Sequence, residues 1–231
     1  VFTDAVIFRT LVPRRLAALV LAGSLAVTLS ACVGSDATVS PADVALSSSP
    51  SAAQGDGTSP APGRTVEATP PADVDGLRGV RIAAVVPSDG GAATRALREA
   101  VLGFAKENGM VVDEFVAADD RASLDEAFDE AVATQPHVVV GLGAGAVDVF
   151  GYMSSQFLDQ DFLLIGAQLA EPTSNVTAVV WQGATSRGSG APADGDLDDA
   201  TITAARATDA TSVGLSTVMS GVPGIVLHLP G

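Results

Sequence analysis

Few side chains in this sequence carry chemistry of their own, and the first is its single thiol. Cys32 follows Leu29-Ser30-Ala31 and is the only cysteine in the chain. The thiolate form of such a side chain is a nucleophile. The two histidines, His137 and His228, lie far apart and have no second cysteine to help them, so they lack metal-ligand spacing. Ser189 sits in Ser186-Arg-Gly-Ser-Gly190, which is not a G-x-S-x-G elbow and offers no positioned base. Gly141-Leu-Gly-Ala-Gly145 lacks the G-x-G-x-x-G spacing of a dinucleotide loop, and no phosphate-binding lysine accompanies it. Neither an enzyme nor a cofactor is expected. The remaining candidates are recognition groups: Trp181, which would stack on a ring or pack in the core, and polar or glycine positions in loops.

The setting of Cys32 gives it a role. Arg14-Arg15 precede an apolar stretch from Leu16 to Ala31. A spanning helix needs about 20 residues, and this stretch is shorter. A basic start, a short apolar region and small residues at its end form a cleavable secretory signal. Leu29-Ser30-Ala31-Cys32 resembles the lipobox of bacterial lipoproteins. That resemblance implies diacylglycerol on the Cys32 thiol, cleavage after Ala31 and acylation of the new amino terminus. One acyl chain anchors weakly and two anchor stably. The expected location is the extracytoplasmic face of a bacterial cell membrane.

Charge narrows the partners. The chain carries a formal −15, and loss of residues 1–31 would remove three arginines and one aspartate. A nucleic-acid partner needs a basic footprint, so none is expected, and adsorption to anionic lipid is equally disfavoured. The acyl anchor must supply the membrane contact. A lone cysteine excludes an intrachain disulfide, although the compartment would permit one.

Positioning elements appear only in the second part of the chain. Residues 32–78 comprise the lipidated cysteine and a Ser/Pro/Ala/Gly-rich stretch, such as Thr58-Ser-Pro-Ala-Pro-Gly63, without apolar periodicity. Such composition buries too little apolar surface to fold, so a disordered tether is expected, with ends roughly 40 Å apart as a flexible coil. Across residues 79–231 short apolar runs alternate with helical patterns. Ile82–Val86, Met110–Val116, His137–Val140, Asp161–Ile165, Val176–Trp181 and Val222–Leu229 read as strands. Leu97, Val101, Phe104 and Ala105 form one helical stripe. Ser123-Leu-Asp-Glu126 has capping-box form, Val147 to Leu158 carries a third helical pattern, and a Thr/Ala-rich helix begins near Asp198. This alternation predicts an α/β domain, a three-layer parallel sheet. Ligands in such sheets sit beyond the strands' carboxyl ends. The candidate contacts are therefore Asp89 and Gly90 in the first loop, Gly143 and Asp148 in the second, Gln168 in the third, and Trp181 after the fifth strand.

Three segments carry a family resemblance: Gln135-Pro-His-Val-Val-Val-Gly-Leu-Gly143, Asp161-Phe-Leu-Leu-Ile-Gly166 and Ser174-Asn-Val-Thr-Ala-Val-Val-Trp181. In order, spacing and texture over about residues 80–185 the chain resembles the basic membrane lipoprotein family, substrate-binding lipoproteins of ABC importers. The resemblance implies a lobe of type I periplasmic-binding-protein fold, a small solute as ligand and an ABC permease as partner. It also implies that Asp89 matches an aspartate of the family's first turn. The departures are specific. Asp89-Gly-Gly-Ala-Ala93 lacks the family's aromatic and amide, Ala144 replaces an aromatic, and Gly166 replaces an aspartate. The expectation is a single-lobe, degenerate relative that binds without catalysis. The alternative is an envelope lipoprotein that interacts with other proteins and has lost its small ligand.

Overall fold

Strands of a parallel sheet covered on both faces need apolar side chains in both directions, and the central runs of this chain supply them. The computed structural model describes residues 61–72, 74, 76–88, 91–118 and 121–231. The expected signal, Cys32, most of the expected tether, and Asp89 and Gly90 lie outside the described residues.

The elements in chain order are β1 (Thr65–Glu67), β2 (Arg81–Val86), α1 (Gly91–Glu107), β3 (Val111–Val116), α2 (Arg121–Ala133), β4 (Val138–Leu142), α3 (Val147–Met153), β5 (Asp161–Ile165), β6 (Val176–Val180), α4 (Ala204–Met219) and β7 (Val226–His228). Short 3-10 turns flank α3 and precede α4. The strands form one seven-stranded parallel sheet in the order β1-β7-β6-β5-β4-β2-β3. The three-layer α/β architecture expected from the sequence is the one observed.

Alternation along β2 divides the core. Ile82, Ala84 and Val86 face α1 and α4, with Leu97, Val101, Phe104, Leu215 and Val218. Ala83 and Val85 face α2 and α3, with Leu124, Phe128, Val147 and Phe150. On that second face Phe128, Phe150 and Phe162 meet at ring-centroid distances of 5.0, 5.4 and 5.8 Å. Helix α1 ends where Asn108-Gly109 predicts, with Gly109 at φ +66° and Lys106 in the last turn facing the negative end of the helix dipole.

Two features depart from expectation. The boundary expected at residue 79 lies too late: Thr65–Glu67 forms an edge strand in register with Val226–His228, and Leu77 is buried. Three residues among Pro and Gly have no period of their own, and they become a strand only because β7 offers an edge. The Thr/Ala-rich helix starts at Ala204 rather than near Asp198. Thr203 caps it, accepting from Arg206 N–H at 3.3 Å. Small residues let α4 come close to the sheet: a Cβ on Gly214 would lie 2.8 Å from Leu163 and 2.9 Å from Val179.

The path across the sheet matters for the site. The β4-to-β5 and β6-to-β7 connections step in the same direction, yet α3 and α4 lie on opposite faces. The β6–α4–β7 crossover is therefore of opposite hand to the other helical crossovers of the sheet, where one hand is the strong rule. It is preceded by a long excursion, residues 181–203, at the carboxyl end of the sheet. Among the described residues no helix is long and apolar enough to cross a membrane.

Candidate functional site

The strand order reverses between β2 and β4, because the chain leaves β2 for β3 and then returns to the other side. That is where a doubly wound sheet opens a crevice. A cavity of about 560 Å³ lies there, in the size range of small-molecule sites. Its floor is built from strand ends and helix starts: Gly91 to Thr94 opening α1, Gly143-Ala144-Gly145 after β4, Gly166 after β5, and Gly183 and Ala184 after β6. Its far wall is the excursion, through Leu197, Asp199, Ala200 and Ile202.

Glycine has a steric reason at these turns. Gly143, Gly166 and Gly183 sit at φ +70°, +77° and +93°, a region that side-chain-bearing residues rarely adopt. At Gly183 space also forbids a side chain, since a Cβ would lie 2.6 Å from Thr201 and 3.1 Å from the Asp198 carbonyl. The turns therefore present backbone to the cavity.

The wall is held from behind. Trp181 is only 1% exposed, and its Nε1 donates to Thr201 Oγ1 at 3.2 Å. Thr201 Oγ1 in turn donates to the Asp198 carbonyl at 2.8 Å, and Asp198 Oδ1 accepts from Ala200 N–H at 3.0 Å. The excursion thus ends in a capped turn pinned to β6.

The sequence candidates scatter around this geometry. Gly143 lines the cavity. Trp181 does not offer a face to a ring: it packs with Leu97, Ile165 and Leu215 in the core, and the stacking role is corrected to a structural one. Gln168 is buried, and its N–H donates to the Ser186 carbonyl at 2.9 Å, joining the loops after β5 and β6. Asp148, in the first turn of α3, accepts from Ser189 N–H at 2.8 Å. It faces a separate cavity of about 340 Å³ with Glu171 and Arg187. Asp89 and Gly90 lie outside the described residues. His137 accepts from Arg81 N–H through Nδ1 at 3.1 Å before β4, and His228 at the end of β7 stands 3.1 Å from the Glu67 carboxylate on β1.

Sequence reasoning missed the cavity-lining Thr94 and Asp199. Asp199 comes from the excursion, whose Gly/Asp-rich text gives no hint that it returns over the strand ends. Thr94 belongs to the buried stripe three residues before Leu97, and a helix opening at the reversal point was the available signal.

No family profile and no curated protein matches the chain. Among solved structures it is similar to an ABC transporter solute-binding protein from Aeropyrum pernix K1, at 17% identity over 46% of this chain and 29% of that one, TM-score 0.38. A putative lipoprotein fragment from Peptoclostridium difficile 630 is 12% identical over 62% of this chain and 97% of that one, TM-score 0.41. A sugar ABC transporter protein from Yersinia enterocolitica is 13% identical over 68% of this chain and 49% of that one, TM-score 0.35. The chain thus spans under a third of the Aeropyrum protein and about half of the Yersinia one. Its α/β architecture rests on its own parallel sheet.

Proposed function

We propose that this chain is a solute-binding module without catalysis, tethered to the outer face of a bacterial membrane through lipidated Cys32 and serving an ABC permease. The observation that carries the binding role is the cavity at the strand reversal. It is walled by the excursion on one side and by three glycine turns on the other, so this one domain supplies both walls. Backbone amides and carbonyls together with small side chains are groups of recognition. The anchor rests on the order Arg14-Arg15, Leu16–Ala31, Leu29-Ser30-Ala31-Cys32. The likeness to basic membrane lipoproteins over about residues 80–185 supports the same reading, and the losses at Ala144 and Gly166 indicate a ligand other than that family's.

Two measurements test it. Native mass spectrometry of the full chain, purified in mild detergent from its own host, is expected to show a small molecule released on denaturation; an empty chain at every preparation would remove the binding role. Metabolic labelling with an alkynyl fatty acid is expected to mark the chain, and Cys32→Ser is expected to abolish the label and leave an uncleaved precursor. Labelling that survives Cys32→Ser would remove the anchor.

A further inference from the structure

We infer that the cavity between α3 and the loops after β5 and β6 is a second binding site, which takes a small monocarboxylate with a short apolar body against Arg187. It shares no lining residue with the cavity at the strand reversal, so its fate leaves the proposed solute site untouched.

The guanidinium of Arg187 carries the inference. Arg81, Arg98 and Arg206 each donate to an oxygen of the chain. Arg187 is half-buried and makes neither a hydrogen bond nor an ion pair among the described residues. Its Nε is shut away from solvent without a partner. A buried donor left unmet is costly, and more so on a charged group. With Nε enclosed the stem of the side chain is fixed, and the terminal amino groups are what it offers to the cavity it lines.

The loop that carries Arg187 is itself pinned. Gln168 N–H donates to the Ser186 carbonyl at 2.9 Å, Gly188 N–H to Ser186 Oγ at 3.3 Å and Ser189 N–H to Asp148 Oδ1 at 2.8 Å. Gly188 lies so close to α3 that a Cβ there would collide with Asp148 and stand 2.9 Å from Val147. An arginine on a free loop finds an acid of its own. This one shares its cavity with Asp148 and Glu171 and stays beyond ion-pair distance of both.

The lining narrows the ligand. A planar guanidinium meets a carboxylate through two parallel N–H···O bonds. Asp148 and Glu171 place two negative charges on the rim, so a dianion is repelled twice over. A single charge is tolerated, because Glu171 is exposed and its field is screened by solvent and salt. Val147 and Leu169, 2% and 5% exposed, give the cavity an apolar wall for the body of the acid. At about 340 Å³ the cavity is at the small end of ligand sites, which fits a short-chain acid.

Isothermal titration of the full chain in mild detergent is the test, with butyrate and isovalerate as probes. The comparison solutes are alcohols and amines of matched length and inorganic phosphate. At least one of the two acids is expected to bind saturably, roughly tenfold or more tighter than its alcohol, as the loss of charged hydrogen bonds predicts. Arg187→Gln is expected to abolish that binding. Arg187→Lys keeps the charge and loses the fork, and is expected to weaken binding by about tenfold. Gly151 offers a variant that leaves Arg187 in place. It lines the cavity from α3, and a Cβ there would stand 3.7 Å from Leu169, in ordinary contact. Gly151→Leu fills the space and improves helix propensity, so it is expected to remove butyrate binding with a melting temperature equal to wild type or higher. Phosphate bound as tightly as butyrate would mean an adventitious ion only and would overturn the site. Binding that survives Arg187→Gln or Gly151→Leu would overturn it as well. Absence of saturable binding by both acids would do the same, while a small molecule released from the host-purified chain would still report on the cavity at the strand reversal.

Discussion

Trp181 and Thr201, twenty residues apart, are joined by an indole N–H to hydroxyl hydrogen bond of 3.2 Å. Through that bond the end of β6 and the far wall of the cavity at the strand reversal become one unit. Trp181 supplies buried area, and its polar edge finds the partner that a buried indole usually requires.

Thr201→Val removes the acceptor while keeping the shape. The indole N–H is then buried with nothing to meet, at a cost of about 1–3 kcal/mol. Urea denaturation of the variant should show a lower midpoint with an unchanged slope. The wall also loses its pin, so solute affinity should fall in the same variant. A midpoint equal to wild type would mean that the bond holds nothing.

The contrast between Trp181 and β1 shows what was legible before the structure. Ile82–Val86 and Phe162–Ile165 are continuous apolar runs, and such runs in alternation with helical stripes pack as a covered parallel sheet. The position of the site followed from that sheet, because the reversal between β2 and β4 is a property of topology. Its lining did not follow. Trp181 continues the alternation of β6 onto the core face of Val179, and its indole N–H is met there by Thr201, which no local pattern links to it. Thr65–Glu67 is held by β7, which forms at the other end of the described chain. Asp148 falls in the right loop, yet its carboxylate accepts from Ser189 N–H, far along the chain, and so ties two loops together. Position along a strand end was readable; direction of a side chain was not.

Gly141 on β4 is needed for space rather than for backbone freedom. A Cβ there would stand 2.7 Å from two ring atoms of Phe150 and 2.8 Å from Leu164 Cδ2. Phe150 is locked edge-on against Phe128, with centroids 5.0 Å apart, so the ring cannot yield alone. Gly141→Ala should destabilise by about 1–3 kcal/mol, the usual range for overpacking. Thermal denaturation followed by near-ultraviolet circular dichroism would read both the loss and the disturbed aromatic packing.

Asn175 fixes the turn after α3 against the start of β6. It is 4% exposed, and its Nδ2 donates to the carbonyls of Ser154, Phe157 and Gln160 at 3.3, 3.0 and 3.0 Å. Asn175→Asp keeps the shape and replaces the donor with an acceptor facing three acceptors. A buried carboxylate in such a place is strongly disfavoured as the charged form, so the variant should lose more stability at pH 7 than at pH 4, where the acid can carry a proton and donate. The loss at neutral pH should be about 3 kcal/mol or more, as for other buried, uncompensated charges. Equal losses at both pH values would show that these three carbonyls do not set the cost.

Asp161, the first residue of β5, gives the opposite sign. Partial burial raises its carboxyl above the ordinary aspartate range, because desolvation disfavours the charged form. A group whose folded pKa is raised contributes its full share of stability only below its unfolded pKa, and that share is lost as pH climbs through the folded value. Wild type therefore carries a penalty at neutral pH that is absent near pH 3. Asp161→Asn removes the charge and keeps the size, so the variant should be more stable than wild type at pH 7, with the gain shrinking to nothing as pH falls below the unfolded aspartate value. Paired melting curves at pH 3, 5 and 7 would read this. A gain that stays constant across the three pH values would place its origin in side-chain contacts instead of in the ionisation of Asp161.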